Sequence, residues 1–478
     1  MTQFLAEAKS ATIEELRAMV AALIAENQAL KERVAELERR LGLNSSNSDK
    51  PPSSDGLKRE PRVKSLREPS GKTSGGQAGH EGKTLRQVED PDDVIDHYPP
   101  VCAGCGGALG AEVSTDYQKR QVFDLPQPQS IQVSEHRAHS CCCPQCGTQT
   151  QAAFPDEVTA AAQYGAYLGA LVVYLQHWHF IPEDRLAELM RDVFGVDLAT
   201  STIAAMGQRK ATALAELAAT IGEHVKQAEV KHMDETGYRI GGTTQWLHVA
   251  ATWLLTFYRT TIKRGDMLAG VMGIIVHDHW KPYFTMGGVL HALCNAHHLR
   301  ELRALIEIEK EPRALAMFRF LRQTCHATNL ARRRGTSLKP GFLAWLLARY
   351  DRIVAQGLTY HEAQPPPDAV ASASGRNRRG RARRRVGHNL LLRLQSRKDD
   401  VLRFLTHPDV PFTNNQAEQD LRMMKVKQKI SGSFRTSAGA QTFAILRTVM
   451  STARKQGWNI LHTLSQNPAI LVQQLRTA

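Results

Sequence analysis

Two aspartates and one glutamate stand in sequence contexts that suit a two-metal nuclease site. Asp234 follows a stretch of alternating apolar and polar residues, at a point where the chain is expected to turn. Asp278 ends the apolar run 273–278, and Glu418 lies at a predicted helix start over 413–422. Carboxylate oxygens suit Mg²⁺ or Mn²⁺, and two such ions about 3.5–4 Å apart activate an attacking and a leaving oxygen. We therefore predict that these three acids hold two divalent ions and catalyse phosphoryl transfer.

The elements that must position these acids are predicted from alternating hydrophobicity. Three strand-like runs come first, at Val230–Ile240, Trp246–Trp253 and Leu255–Ile262. A helical patch and the buried strand Gly273–Val276 follow. This is the order of a ribonuclease-H-like mixed sheet, in which the first and fourth strands are neighbours and their aspartates lie side by side. Nearby Glu235 and Asp266 are competing carboxylates in less favourable positions.

Basic residues follow the acidic residues along the chain. Arg422, Lys425 and Lys429 fall on the helix face of Glu418, since they lie four, seven and eleven residues after it. Arg435 follows where that helix is expected to end. The segment 375–385 contains seven arginines and no acid, so it is expected to bind a nucleic-acid backbone. Its last three arginines are Arg383, Arg384 and Arg385.

A cysteine and a histidine precede a helix-rich insertion at 301–400. Cys294 and His297 have the spacing of a metal-binding pair. Because no second pair lies nearby in sequence, packing and hydrogen bonding at the start of a helix is the favoured role. A metal role for this pair stays open.

Two further cysteine pairs predict a structural zinc site. Cys102 and Cys105 form one pair, Cys143 and Cys146 form the other, and four thiolates in this pattern bind Zn²⁺ tetrahedrally. The neighbouring Cys141 and Cys142 are surplus, and either could replace Cys143 as a ligand. A closed four-thiolate site supports folding of a DNA-contact module and leaves no position for catalysis.

The N-terminal helix carries an unbroken heptad pattern over residues 13–41. Valine, isoleucine or leucine occupies the a positions except at Asn27, and every d position is leucine. This pattern predicts a parallel two-stranded coiled coil with a register fixed by the buried asparagine. The pattern also fits an amphipathic helix packed on its own domain. A basic-zipper regulator is excluded because no basic region precedes the heptads.

Between the zinc module and the acidic core, two helices are predicted in residues 153–226. The first is Asp184–Gly195 and the second is Ile203–Ala219, in helix-turn-helix proportions. An ordinary helical hairpin is an equal alternative. The most apolar stretch, Tyr164–Phe180, contains Gln176 and two histidines and predicts a buried helix rather than a membrane span.

Composition points to a nucleic-acid partner. The chain has 478 residues and a formal net charge of +14, which favours a polyanionic partner. Its eight cysteines are mostly clustered, which indicates metal binding in a reducing compartment. No signal peptide and no membrane span are predicted, so a cytoplasmic, nucleoid-associated protein is expected.

The predicted fold class is a multidomain α+β protein. A coiled coil, a four-cysteine zinc-binding module and a helical, helix-turn-helix-like domain precede a ribonuclease-H-like catalytic core with a helical insertion. The predicted segments are 1–43 (coiled coil), 44–90 (basic linker), 91–152 (zinc), 153–226 (helical), 227–300 with 401–455 (core), 301–400 (insertion) and 456–478 (C-terminal helix).

Together these motifs resemble bacterial transposases of the insertion-sequence-66 type. The resemblance covers the leading zipper, the linker Asn44-Ser-Ser-Asn-Ser, both cysteine pairs, Asp234-Glu-Thr-Gly, Cys294-x2-His297 and Asn414-Asn-x-x-Glu418. It implies a ribonuclease-H-like fold of the DDE type with Asp234, Asp278 and Glu418 as its triad. It also implies DNA partners, namely the terminal inverted repeats of an element and a target. Elements of this type often need two small companion proteins.

The resulting hypothesis is a DNA transposase that dimerises through its zipper, cuts element ends and joins the freed 3′-hydroxyl to target DNA. Two other classes remain open. A ribonuclease-H-like nuclease would cut without joining strands. A catalytically inactive regulatory remnant would bind DNA and never cut it.

Overall fold

The computed structural model describes residues 13–45, 47–48, 87–109, 111–123, 131–146, 148–364 and 384–477. Most of the predicted linker and the arginine-rich segment up to Arg383 lie outside these residues. The chain divides into two units. One contains residues 1–62, 136–188 and 197–478, and the other contains residues 63–135 and 189–196.

A long helix begins the described chain. Helix α1 spans Ile13–Gly42, in agreement with the heptad pattern. Its a and d side chains stay largely exposed, with Ile13 73% and Leu23 52% accessible. Just beyond its C-terminal end, Asn47 donates a hydrogen bond to Glu307 (3.2 Å). Its apolar face therefore lacks a partner among the described residues.

Short strands and helices lead to the main sheet. A hairpin of β1 (Ser140–Cys142) and β2 (Gln149–Gln151) comes first. Four helices follow, α2 (Ala166–His177), α3 (Glu183–Phe194), α4 (Thr200–Ala213) and α5 (Ala215–Gln227). The predicted helices at Tyr164–Phe180 and Asp184–Gly195 are confirmed as α2 and α3.

The predicted helix Ile203–Ala219 was wrong in its extent. The chain leaves helical geometry at Leu214 (φ −97°, ψ 1°), so α4 and α5 are separate helices. Leu214 is buried with Leu217 and Ile221 in one core cluster. Tertiary packing thus sets this break, which no proline or glycine marks in the sequence.

The main sheet has five strands in the order β5-β4-β3-β6-β7. These are β3 (Val230–Ile240), β4 (Thr243–Ala251), β5 (Thr256–Thr261), β6 (Gly273–His277) and β7 (Val289–Leu293). The first three are antiparallel, while β6 and β7 run parallel to β3. The three predicted strand runs and the buried fourth strand are confirmed with small shifts at their ends.

Two expectations about this sheet were wrong. No turn follows Asp234, because β3 continues to Ile240 in pairing with β4, and the turn is Gly241–Gly242. No helix lies between β5 and β6. There, Gly265 and Gly270 interrupt the chain, and Arg259 donates to Asp266 and Met267, which fixes a loop.

Helices cover both faces of the sheet. On one face, Ile274, Val276 and Ala292 share a core with the helices of residues 295–406. On the other face, Met233, Ala250 and Ile275 share a core with α2, α5 and the C-terminal helices. The helices of the first group are α6 (Asn295–Glu307), α7 (Pro312–Arg333), α8 (Pro340–Glu362), α9 (Val386–Ser396) and α10 (Lys398–Thr406).

The remaining helices are α11 (Asn415–Ser431), α12 (Ser437–Gln456), α13 (Ile460–Ser465) and α14 (Pro468–Gln474). A single C-terminal helix over 456–478 was therefore wrong. Gly457 (φ 77°) ends α12, and Asn459 and Asn467 cap two short helices through their side chains. Among the described residues, no helix combines the length and apolar character needed to cross a membrane.

Gly273 fixes the start of the parallel pair β3–β6. Its φ is +73°, and a Cβ atom there would lie 2.5 Å from the Glu229 carbonyl oxygen, which accepts a hydrogen bond from Ile274 (2.7 Å). Only glycine fits such a close approach with positive φ. This glycine therefore protects the register between the two strands.

We predict that Gly273→Ala destabilises the protein more than Gly270→Ala. Both glycines have φ +73°, but a Cβ at Gly270 meets no atom within 4 Å. Gly270→Ala should cost about 1–2 kcal/mol from backbone conformation, and Gly273→Ala about 1–3 kcal/mol more from overpacking. Urea denaturation of both variants measures the difference. Equal losses would contradict a register set by close approach at Gly273.

Candidate active site

Parallel pairing places two of the predicted acids in one row. In the β3–β6 register, Val230 pairs with Ile274 and His232 with Val276. Continuing this register by two residues sets Asp234 level with Asp278. Level residues on adjacent parallel strands point to the same face and lie about 4.8 Å apart. The Asp234 and Asp278 side chains therefore share one face, although Asp234 is in the middle of its strand.

Asn414 brings the third acid to this row. Helix α11 begins after Asn414, whose side-chain Oδ1 accepts a hydrogen bond from His232 Nδ1 (2.8 Å) and whose Nδ2 donates to the Met233 carbonyl (2.8 Å). The Asn414 side chain does not cap its own helix. Asn414 thus fixes the start of α11 to β3. Glu418 lies in the first turn of this helix and is held close to Asp234. Sequence reasoning predicted the helix start but missed the roles of Asn414 and His232.

The acids repel one another in a poorly solvated site. Burial, followed by the neighbouring charges of Glu235, Asp278 and Glu418, raises the pKa of Asp234 to about 8. Asp278 Oδ1 accepts a hydrogen bond from the Trp280 amide (2.9 Å). Glu418 Oε1 is buried and has no hydrogen-bond partner among the described residues. A cation would relieve both the repulsion and the missing contact.

The two competing acids are engaged elsewhere. Glu235 accepts hydrogen bonds from Arg264 (2.7 Å) and from the Tyr283 hydroxyl (2.6 Å). Asp266 forms an ion pair with Arg259 (3.2 Å). The carboxylates of Glu235 and Asp266 thus have hydrogen-bond partners within the chain, whereas Glu418 Oε1 has none among the described residues. This difference agrees with the prediction of Asp234, Asp278 and Glu418 as metal ligands.

An arginine beside the acids was missed from the sequence. Arg264 is paired with Glu235 and lies 4.0 Å from the ring centre of Trp280 and 5.0 Å from that of Trp246. Its side chain is 41% exposed. A cation stacked between two indoles is held near the acids and remains accessible to an anion. No spacing rule in the sequence links these three residues.

The predicted basic residues on α11 are exposed. Arg422, Lys425 and Lys429 are accessible along the helix, and Lys425 Nζ donates to the Gly237 carbonyl (3.3 Å). The helix ends at Ser431 with Gly432 at φ 68°, and Arg435 follows it, also exposed. Positive charge therefore continues away from Glu418 on the same helix.

Of the three predicted arginines before α9, two are described. Arg384 and Arg385 are half-buried immediately before α9, and Arg385 occupies its N-cap position. Arg383 lies outside the described residues. Their role toward a nucleic acid stays a prediction.

Cys294 and His297 lie beside Glu418. Cys294 is buried at the N-cap of α6 and accepts a hydrogen bond at Sγ from the Asn414 amide (3.1 Å). The ligand atoms of Cys294, His297 and Glu418 all lie within 4.8 Å of one another. The hydrogen bond fits the packing role expected from the sequence. The carboxylate of Glu418 lies 121 residues after His297 in the chain (418 − 297), so the sequence alone did not identify it as a partner of this pair.

The two cysteine pairs of the predicted zinc site have the same local turn. The Cys102 amide donates to Gly107 O (2.8 Å), and the Cys143 amide donates to Thr148 O (2.9 Å), five residues on in each case. Cys143 is thus the equivalent of Cys102, whereas Cys141 and Cys142 lie in strand β1. Hydrogen bonds, including one between the thiols of each pair, lower the pKa of Cys102 and Cys146, which favours the thiolate that binds metal. The knuckles belong to different units, and their joint zinc site stays a prediction.

The oxygen-rich donor set of the triad fits Mg²⁺ or Mn²⁺. The charges of Asp278 and Glu418 contribute to the raised pKa of Asp234, and Glu418 has a buried oxygen without a hydrogen-bond partner among the described residues. Hard divalent ions prefer such oxygen ligands. These carboxylates have the chemistry to hold a divalent ion, and the basic residues of α11 are suited to an anionic substrate beside it.

Comparison with known proteins decides the family. Residues 161–442 match the family described as Transposase IS66 family, which is more than half of the chain. This chain belongs to the Transposase IS66 family. The matched range contains the sheet, the three acids and the helices of residues 295–406. Residues 5–86, which include α1, match a family of unknown function.

Two relatives from Sinorhizobium fredii are similar to this IS66-family chain. The uncharacterized protein y4hP is 23% identical over 435 residues, covering 80% of this chain and 75% of y4hP. The uncharacterized protein y4jO is 39% identical over 75 residues, covering 16% of this chain. The chain spans about a quarter of the length of y4jO, at 23%.

We predict that Asp234→Asn stabilises the metal-free protein as pH rises. Because the folded-state pKa is about 8 and the unfolded value is 3.8, wild-type stability falls as pH increases between these values and is level above the higher one. The asparagine side chain does not titrate, so the stability of Asp234→Asn relative to wild type should increase from about pH 4 to about pH 8. Urea midpoints with a chelator present measure it.

Asp266→Asn is the matched control for this stability test. Asp266 is exposed and paired with Arg259, so its replacement should give no growing gain. A constant difference between Asp234→Asn and wild type across this pH range would refute the repulsive cluster.

Proposed function

We propose that this chain is a DNA transposase that cuts element ends and joins them to target DNA through a site built on Asp234, Asp278 and Glu418. The observation that carries the proposal is that the charges of Asp278, directly after β6, and of Glu418, in the first turn of α11, act on the buried Asp234 of β3. Family membership supports the transposase role. The strand order and directions are those of a ribonuclease-H-like sheet, which supports a DDE core.

The residues divide the work of phosphoryl transfer. The three carboxylates would hold Mg²⁺ or Mn²⁺, and two such ions would supply charge neutralisation at the phosphate and activation of the attacking and leaving oxygens. Asn414 and the β3–β6 register keep the carboxylates in place, so little reorganisation accompanies the reaction. A water oxygen attacks phosphorus and breaks the bond to the 3′-oxygen, which leaves a 5′-phosphate and a free 3′-hydroxyl. This hydroxyl then attacks a target phosphate in line and displaces the target strand's own 3′-oxygen, which leaves as a hydroxyl. The chain itself forms no covalent bond to DNA.

Basic side chains bind the DNA backbone. Arg422, Lys425, Lys429 and Arg435 lead away from Glu418 and neutralise phosphates beside the scissile bond. Arg264 supplies a further accessible cation at the acids. The segment containing Arg383, Arg384 and Arg385 adds backbone contacts without sequence preference.

Recognition of the element ends is assigned to the N-terminal modules. A Zn²⁺ ion held by Cys102, Cys105, Cys143 and Cys146 stabilises a DNA-contact module, and the helices of residues 153–226 add contacts in a helix-turn-helix-like manner. Two small element-encoded companion proteins complete the machinery in this proposal.

Cleavage and strand transfer are tested with DNA ends taken from the sequence flanking the gene, in Mg²⁺ or Mn²⁺. Wild type should nick these ends and join them to a target. Asp278→Asn and Glu418→Gln should lower both rates at least about 100-fold, since each removes charge stabilisation at the reacting phosphate. Gel analysis of labelled ends follows the products.

The control for the cleavage assay is Asp266→Asn, which removes a nearby acid outside the triad and should leave both rates within about twofold of wild type. Nicking without joining would replace the proposal by a nuclease. Binding without nicking in wild type and variants, with the companion proteins added, would identify an inactive DNA-binding remnant.

The exposed face of α1 supports dimerisation. Leu23 and Leu30 are 52% and 59% exposed at d positions, and Val34 is 52% exposed at an a position. A continuous apolar stripe of this kind needs a partner. A second copy of α1 supplies one through the heptad pairing, with attractive Glu26–Lys31 and Arg33–Glu38 contacts.

We predict that Leu23→Glu with Leu30→Glu converts a dimer into a monomer of 53.1 kDa, because two charges would enter the heptad seam. Light scattering after size exclusion measures the mass. Ala25→Glu, at an outward f position, should remain dimeric. A monomeric wild type at micromolar concentration would contradict the zipper.

A further inference from the structure

The row of acids continues onto a third strand. In the β6–β7 register, Gly273 pairs with Val289 and His277 with Leu293, so the next position sets Asp278 level with Cys294. The Cys294 amide donates to His277 O (2.9 Å), which continues this pairing. Asp234, Asp278 and Cys294 thus form one row across β3, β6 and β7. The Cys294 thiol is therefore the third side chain of this row, beside the two aspartates.

Two helix starts bring further ligand types to this thiol. His297 lies in the first turn of α6, three residues after Cys294, and its amide donates to the Cys294 carbonyl (3.2 Å). Glu418 lies in the first turn of α11. A thiol sulfur, an imidazole nitrogen and a carboxylate oxygen therefore meet, all within 4.8 Å of one another.

The surroundings favour metal binding over simple packing. Cys294 is 1% exposed and is a free thiol. The Asn414 amide donates to its sulfur (3.1 Å), which stabilises a thiolate as outer hydrogen bonds do in metal sites. In the same cluster, Glu418 Oε1 is buried without a hydrogen-bond partner among the described residues.

We propose that Cys294, His297 and Glu418 form a site for one thiophilic divalent ion of the zinc class, which shares Glu418 with the proposed triad. Sulfur, nitrogen and oxygen donors select Zn²⁺ or Co²⁺ over Mg²⁺. Ligands bound to Zn²⁺ at about 2.0–2.3 Å lie about 3.3–3.8 Å apart in a tetrahedron, so a modest side-chain rotation closes the set. Binding displaces the thiol proton to solvent.

Three protein ligands leave a fourth position open, as in zinc sites that take water or substrate. Glu418 belongs both to this set and to the proposed triad. An ion bound by Cys294 and His297 therefore fixes the orientation of Glu418 next to Asp278. The site and its ligand preference follow from the geometry of the cluster and do not depend on catalysis.

Cobalt binding to the full-length protein tests the site. Co²⁺ bound to a thiolate gives a charge-transfer band in the near ultraviolet, and titration also gives the number of ions bound. Wild type should bind one more equivalent than Cys294→Ser. Glu418→Gln, which keeps the thiol and its Asn414 contact, should weaken this last equivalent at least about tenfold. His297→Gln should do the same.

Three control variants keep the cobalt result interpretable. Cys325→Ser replaces another buried free thiol, in α7, and should bind cobalt as wild type does. Asp278→Asn and Asp234→Asn each remove an acid of the proposed triad that is not a ligand of the cobalt site, so both should leave the cobalt band in place. A failure of the transposase proposal therefore does not affect this readout. Far-ultraviolet circular dichroism verifies that each variant is folded.

Equal cobalt stoichiometry in wild type and folded Cys294→Ser would overturn the proposed site and leave Cys294 a packing residue. A loss of the same size in Cys325→Ser would overturn it as well, because the effect would then not be specific to the cluster. An unchanged affinity in Glu418→Gln and His297→Gln would show that the thiol binds cobalt without them.

Discussion

The parallel pairing of β3 with β6 is the constraint on which the site depends. A one-residue slip would turn Asp278 to the opposite face of the sheet and separate it from Asp234. Gly273 prevents such a slip, since only a residue without Cβ approaches the Glu229 carbonyl so closely. The same register carries through β6 to β7 and places Cys294 in the row. One backbone interaction thus aligns three reactive side chains.

Asn414 is the second element of this arrangement, and it acts between layers. Its side chain contacts His232 and the Met233 carbonyl, and its backbone N–H donates to the Cys294 sulfur. The N-cap residue of α11 is therefore fixed to β3 and to the start of α6. Burial, followed by the charges of the neighbouring acids, raises the pKa of Asp234 to about 8, and this charge repulsion opposes the convergence. The packed helices on both faces of the sheet hold the acids together despite that repulsion.

Several features were predictable because they depend on local pattern. Alternation located β3, β4 and β5, heptads located α1, and polar residues before an apolar run located the start of α11. Other expectations failed where tertiary contacts override local preference. The helix predicted at 203–219 breaks at buried Leu214, and the helix expected after β5 is a loop held by Arg259. Leu214 is buried in a core cluster with residues of several segments, and the loop after β5 is held by a side chain seven or eight residues away.

The sequence by itself determined the types of chemistry present: three acids near predicted element ends, paired cysteines, a basic balance, and motifs that resemble the family to which the chain belongs. Only the tertiary structure decided which residues meet. It engaged Glu235 with Arg264 and Tyr283, stacked Arg264 on Trp280, and brought Glu418 to Cys294 and His297. The physical reason is that residue type and spacing act over a few positions, whereas strand register and helix packing join residues more than a hundred positions apart.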